Sequence, residues 1–326
     1  MRSLHDSWQL GGVMIPNRVV LAPLAGIGNW FVRLQAKRYG AGLAVSEMVS
    51  SFAIHYGNRK THDELLTIDP RERQGGPVAM QLFGQDPEIM RSAAAHVAGL
   101  GADIIDLNMG CPVPKVMKTG AGAALLSDPE TAVAVARAAR EGSGLPVTVK
   151  LRAEGVEVAR RLVEEAGVAG ITFHPRTIEV RHKGNPDYDL AARVVEELPV
   201  PVIVTGGMDD PEHVQWVFDH TGCEAVMLAR GSLGNPWLFE RVLGTRDEDP
   251  SPDEIVAEWE WVLDRAEEHL GPDRAARYLR KFHPWYLERL GAPRVAQDAL
   301  QRAGTLDEQR SIIAGLGATI LGRAAV

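Results

Sequence analysis

Cysteine is nearly absent from this chain: Cys111 and Cys223 are the only two among 326 residues. So small a thiol count builds neither a disulfide framework nor a thiolate metal cluster, and it points to a reducing compartment. Long apolar runs are missing as well. No stretch of about 18 apolar residues occurs, so no membrane-spanning helix is expected. The opening MRSLHDSWQL lacks the apolar core of a signal peptide. The histidines show no HExxH or comparable spacing, and no metal site is expected. Positive charge is not in excess either, since the formal net charge is −8. That balance argues against a chain that binds nucleic acid over its whole surface and shifts attention to local clusters of Lys and Arg. The expectation is a cytoplasmic monomer without membrane contact.

What the chain does have is a rhythm. Apolar runs occur at Val19 to Leu21, Leu43 to Ser46, Val78 to Leu82, Asp103 to Leu107, Val147 to Leu151, Gly170 to Phe173, Val202 to Val204 and Ala225 to Leu228. Amphipathic stretches such as Pro87 to Leu100, Pro129 to Glu141, Val156 to Ala166 and Pro211 to His220 separate most of them. Eight strand–helix units predict an α/β fold, a closed (β/α)8 TIM barrel. Ahead of them, Trp8 to Val20 holds Gly11-Gly12 between short apolar pieces, which suits a hairpin capping the barrel bottom. After Leu243 the composition turns charged and proline-bearing. Ser251 can cap a following helix, with Pro252 in its first turn and Glu254 three residues on. The expected organisation is a barrel with its hairpin over residues 1–243, a linker over 244–252 and a small all-helical domain over 253–326.

Residues at strand ends share one mouth of such a barrel, so a site can be assembled from them. Pro23-Leu24-Ala25 follows the first strand, Gln81 ends the third, and Asn108 and Cys111 follow the fourth. Lys150 and Arg152 end the fifth, His174 and Arg176 the sixth. Thr205-Gly206-Gly207 follows the seventh and Ala229-Arg230-Gly231 the eighth. Cys111, in the turn NMGCP, could be a proton donor or a nucleophile. Lys150 ends an apolar strand and must meet an anion or an electron-rich ligand. Glycine-rich turns after strands seven and eight are the usual phosphate cradle of this fold, because small residues let backbone N–H groups approach an anion. Cys223 precedes strand eight and belongs at the opposite, stability face.

In the helical region Arg274, Arg277, Arg280, Lys281, Arg289, Arg294 and Arg302 outnumber Glu288 and Asp298. The run reads either as a solvated face or as a surface for RNA phosphates. In the second case Arg277, Arg280 and Lys281 share one helix side and Tyr286 is available to stack or hydrogen-bond.

Taken in order, VLAPLAGIGNWFVR, SEMVS, GGPVAMQLFGQDP, ADIIDLNMGCPVPKVMKTGAGAALLSDPE, VTVKLR, FHPRT, VIVTGGM, VMLARGSLGNPWLF and YLRKFHPWYLERL resemble the tRNA-dihydrouridine synthase family, closest to its bacterial DusB-like branch. The resemblance implies an oxidoreductase that uses FMN, with NADPH as reductant, to reduce a uridine of tRNA to 5,6-dihydrouridine. It implies that Pro23, Leu24, Ala25 and Gln81 line the flavin ring and that Lys150 faces its N1 and O2 side. Thr205, Gly206, Gly207, Ala229 and Arg230 would hold the phosphate. Asn108, Arg152 and His174 would contact the flavin or the uracil. Hydride from flavin N5 to uracil C6 would be matched by a proton from Cys111 to C5, a role an ordinary thiol of pKa ~8.5 can fill at neutral pH. Leu24, Thr205, Pro175, Val180, His182 and Tyr188 depart from the commoner family pattern. The alternatives are an FMN oxidoreductase of a small pyrimidine or enoate on the same barrel, and a non-catalytic RNA-binding barrel.

Overall fold

Strands that must be buried on both faces are written as almost unbroken apolar runs, and the runs in this chain form one parallel sheet. A computed structural model describes residues 2–180 and 183–324, with side chains as far as Gly317. Its strands are β1 (Trp8–Leu10), β2 (Val13–Ile15), β3 (Val19–Leu21), β4 (Leu43–Val45), β5 (Val49–Ser50), β6 (Val78–Phe83), β7 (Ile104–Asn108), β8 (Val147–Arg152), β9 (Gly170–His174), β10 (Val202–Thr205) and β11 (Ala225–Leu228). Parallel pairing runs from β3 through β4, β6, β7, β8, β9 and β10 to β11. Pairing of Val226 with Val19 then closes the ring. The fold is a (β/α)8 TIM barrel. The short β5 is an addition beside the end of β6, with Val49 opposite Leu82.

Inside the barrel the two-residue period of the strands sorts chemistry by height. Val20, Leu43, Ala79, Ile104, Ile203 and Ala225 form one buried apolar cluster with Trp8, Leu10 and Ile15 of the β1–β2 hairpin. The hairpin turns on Gly11 and Gly12, at φ 57° and 88°, angles that favour a two-glycine turn. It plugs the N-terminal end. One step further along four of the strands the buried residues become polar, Gln81, Asp106, Thr148 and Thr205, while Ala22, Val45 and Met227 stay in the apolar cluster. The polar end is therefore the C-terminal mouth.

The surrounding helices start on a repeated device. Asp86, Asp128 and Asp210 each accept a backbone N–H from the third residue of the helix that follows, and Pro87, Pro129 and Pro211 open those helices. The capping carboxylate satisfies an end N–H, and proline has none to lose.

The chain divides into two compact units, Met1–Gly231 and Ser232–Val326. Residues 232–243 thus cluster with the second unit, ahead of the expected linker. Gly234 lies so close to Trp285 that a Cβ there would come within 2.6 Å of the Trp285 Cβ. The second unit carries helices Trp237–Val242, Pro252–Leu270, Pro272–Leu279, His283–Arg289, Arg294–Arg302 and Leu306–Ala324. The helix from Pro252 starts on the expected reciprocal cap of Ser251 and Glu254. Its Trp259 ring stacks on Tyr286 at 5.4 Å and 8°.

Candidate active site

Asn108 is the last residue of β7, and its side chain shapes the turn that follows. Its Oδ1 accepts the backbone N–H of Cys111 at 2.9 Å and of Gly110 at 3.3 Å, an arrangement short polar side chains readily make. Met109 N–H donates to the Lys150 carbonyl at 3.0 Å. Gly110 is held so near β8 that a Cβ would approach the Lys150 carbonyl oxygen to 3.3 Å. From below, Ala123 N–H donates to the Cys111 carbonyl at 3.1 Å. The downstream GAGAALL segment is thus the other wall of the turn. Cys111 is left half-buried, whereas Cys223 is fully enclosed. Burial pushes the Cys223 thiol up to about 11, which makes it inert by comparison.

Beneath the turn lies a layer of polar side chains from β6, β7 and β8. Asp106 accepts from Gln81 Nε2 and from Thr148 Oγ1, both at 2.6 Å, and Gln81 Oε1 accepts from Asn108 Nδ2 at 2.9 Å. Burial raises the Asp106 carboxyl to about 6, against the bonds from Thr148 and Gln81 and the charge of Lys150. Burial likewise lowers Lys150 to about 8, helped by Arg152 and opposed by Asp106 and Cys111. A lysine held this low at the mouth of a barrel is a candidate functional group. Arg152 is buried, with Nε on the Gly110 carbonyl at 2.9 Å and Nη1 on the Thr177 carbonyl at 3.0 Å. It ties the cysteine turn to the loop after β9.

His174 and Arg176 form the next wall, with His174 Nε2 3.1 Å from Arg176 Nη1. Arg176 also holds the Gly184 carbonyl at 2.9 Å and 3.1 Å. Gly206, at φ +112°, fits against them: a Cβ would lie 2.6 Å from His174 Cδ2 and 3.1 Å from Arg176 Nη1. Only glycine lets the backbone come this close. The Arg176 guanidinium is shifted down chiefly by burial, with Arg230 adding like charge and Tyr188 and Asp209 opposing. Arg176 thus lies against the glycine turn, while Arg230 is exposed. Thr205 is buried, and its hydroxyl donates to the Met227 carbonyl at 2.9 Å. Its Oγ therefore braces β10 on β11. Gly231 packs on the Met208 carbonyl, 2.5 Å from where a Cβ would stand, so the turns bearing Gly206-Gly207 and Ala229-Arg230 lie side by side.

The loop after β3 places Pro23 half-buried, Leu24 buried and Ala25 exposed. Gly26 N–H donates to Glu47 Oε2 at 2.7 Å. The Gly28 carbonyl accepts from Arg33 Nη1 at 3.1 Å. Arg33 in turn pairs with Glu72 at 2.7 Å, both fully buried.

Asp106, Thr148 and Glu47 belong to the candidate site, although none of them ends a strand. A signal was present for two of them: Asp106 lies two residues before Asn108 and Thr148 two before Lys150, which puts each pair on one strand face.

The residues expected to meet RNA are placed differently from one another. Arg277 and Lys281 are exposed, and Lys281 Nζ sits 4.7 Å from the Tyr278 ring. Arg280 is half-buried and donates to the Ala303 carbonyl at 3.2 Å. The helix Pro272–Leu279 ends before Arg280, so the three cations do not share one helix face. Tyr286 is 1% exposed. Its ring is committed to Trp259 and cannot meet a partner as it stands. Val180 is exposed, and His182 lies outside the described residues.

Among the described residues no helix is long and apolar enough to cross a membrane, and no group of three His, Cys, Asp or Glu could hold a metal.

Comparison with known proteins gives the family and the fold. The family model for dihydrouridine synthase (Dus) matches residues 20–317. The tRNA-dihydrouridine synthase B of Shewanella oneidensis is 33% identical over 322 residues, covering 94% of this chain and 97% of that protein. The protein of that name from Pasteurella multocida is 32% identical over 325 residues, covering 96% of each. Among solved structures, an old yellow enzyme homologue from Zymomonas mobilis superposes with TM-score 0.58 at 16% identity, covering 76% of this chain and 94% of that one. Morphinone reductase gives 0.52 at 19%, covering 77% and 92%. At such identities these two speak for the barrel alone. A match along nearly the whole chain, joined to a cysteine turn beside Lys150 and Arg152, leads to one conclusion: the chain belongs to the dihydrouridine synthase family of oxidoreductases.

Proposed function

We propose that this chain reduces a uridine in tRNA to 5,6-dihydrouridine, with FMN as cofactor, NADPH as reductant and Cys111 as the acid. The observation that carries the reading is the half-buried Cys111 on a turn fixed by Asn108, at the polar mouth shared with Lys150, Arg152 and His174.

The donor set suits FMN. Gly206 and Gly207 at positive φ, Thr205, Ala229 and Arg230 offer backbone N–H groups and a cation to a phosphate. Pro23, Leu24 and Ala25 offer an apolar surface to a flat ring and Lys150 a charge at its N1 and O2 side, while Gln81, 0% exposed with both amide atoms bonded to Asp106 and Asn108, supports this surface from beneath. Bound there, FMN would supply the hydride for uracil C6. Cys111 gives a proton to C5, His174 orients the base, and Asn108 and Arg152 hold the turn that presents the thiol. The base must leave its stack to reach this mouth. Arg277 and Lys281 of the helical unit are exposed cations for tRNA phosphates.

The test is direct. Full-length protein, NADPH and unmodified tRNA should yield tRNA with one uridine gaining two hydrogens, read by mass spectrometry of its nucleosides. Reduction of a free pyrimidine or an enoate with tRNA left unchanged would overturn the reading.

A further inference from the structure

Tyr188 opens the helix Tyr188–Glu197 and is 8% exposed. Its hydroxyl lies 2.6 Å from the Gly206 carbonyl and 3.1 Å from His213 Nε2. A carbonyl only accepts, so the single phenolic proton goes to Gly206, and His213 must then donate to the phenol oxygen. A hydroxyl that accepts one hydrogen bond donates the next more strongly. Burial also pushes the Tyr188 phenol up to about 12, so the proton is retained.

The bonded carbonyl belongs to the peptide between Gly206 and Gly207. In a trans peptide the C=O and the N–H point in opposite directions, and no cis bond occurs among the described residues. Pinning the Gly206 carbonyl on Tyr188 therefore turns the Gly207 N–H to the opposite face of the turn. Two glycines at φ +112° and +74° leave this peptide plane free to rotate unless something holds it. Space is tight as well, for a Cβ on Gly207 would lie 2.8 Å from the Tyr188 hydroxyl.

We propose that Tyr188, seconded by His213, is a positioning residue that locks the Gly206–Gly207 peptide so that its N–H is preset to receive the cofactor's phosphate. The proposal rests on the reading of this turn as the flavin-phosphate cradle. Its consequence is specific to the phosphate: without the hydroxyl the peptide must be ordered at the moment of binding, which weakens FMN and leaves a flavin lacking the phosphate unaffected.

The experiment is a titration of the full-length protein and its Tyr188→Phe variant with FMN and with riboflavin, followed by flavin fluorescence, beside a thermal melt of each sample. The expected result is a fivefold to tenfold weaker FMN affinity in the variant, about the worth of one hydrogen bond, with riboflavin affinity unchanged and melting lowered by only a few degrees, as the loss of a hydrogen bond from the fold requires. Equal weakening of both flavins would overturn the proposal and reduce Tyr188 to a packing residue. Unchanged FMN affinity would overturn it too, because the peptide would then be held without the hydroxyl. Equal affinity of the wild-type protein for FMN and riboflavin would overturn the phosphate-cradle reading itself, an outcome visible before any variant is made.

Discussion

Gln81 donates through Nε2 to Asp106 Oδ2 at 2.6 Å, and this bond sets the direction of two amides. A carboxylate only accepts, so Gln81 must turn its oxygen to Asn108, and Asn108 must turn its own oxygen to the N–H groups of Gly110 and Cys111. The charge on Asp106 thereby reaches the turn that carries the thiol.

That carboxyl should be visible in the pH dependence of stability. Its pKa rises from 3.8 to about 6 on folding, so between those values the folded state keeps a proton the unfolded chain has lost. The favourable contribution is present below about pH 3.8 and is lost as pH rises through 6, about 3 kcal/mol in all. Asp106→Asn removes the titration. The stability of the variant relative to wild type, measured by urea unfolding, should rise by about that amount between pH 4 and 7. A difference independent of pH would show the carboxyl titrating alike in both states.

Cys111→Ala should leave flavin binding and flavin reduction by NADPH intact while tRNA reduction falls about 10²- to 10⁴-fold, the usual worth of a general acid. Stopped-flow traces of the two half-reactions separate the outcomes. A parallel loss in both would make the thiol a structural group.

Arg230→Ala should weaken FMN about tenfold or more by removing one charge-assisted hydrogen bond to the phosphate. Riboflavin is again the control, since it has nothing for the guanidinium to hold. If both flavins weaken alike, Arg230 is not at the phosphate.

Glu72→Ala should cost about 3–5 kcal/mol in chemical denaturation, because it strands Arg33 as an uncompensated buried charge. The pair is 0% exposed on both sides, so solvent cannot replace the missing partner. A loss under 1 kcal/mol, as for surface pairs, would contradict that burial.

Replacing Arg277 and Lys281 together by Ala should weaken tRNA binding and lower the salt slope by about one for each phosphate that is no longer neutralised. Flavin reduction should not change. Equal slopes for the two proteins would return these cations to the role of a solvated face. Tyr286→Ala instead removes half of a buried stack with Trp259, and its effect should appear in stability, at about 3–5 kcal/mol.

Eight strands were legible in the sequence because a parallel strand covered on both faces leaves an apolar run that needs no partner to be seen. The same holds for the Gly11-Gly12 hairpin and the Ser251–Glu254 cap, whose causes lie within a few residues of each other. Strand-end positions such as Asn108, Lys150 and His174 followed from the order of those runs. What only the tertiary structure decided are contacts between residues distant in the chain. Asp106 meets Gln81 25 residues away, Tyr188 meets Gly206 18 residues away, and Arg33 finds Glu72 39 residues away. Tyr286 shows the limit most clearly. Its ring and hydroxyl suited an RNA contact, and burial against Trp259, supplied by a separate helix, chose the core. A sequence records the period of its own helix or strand, whereas the partner that covers a face, and with it the choice between core and surface, belongs to another segment and exists only once the chain has folded.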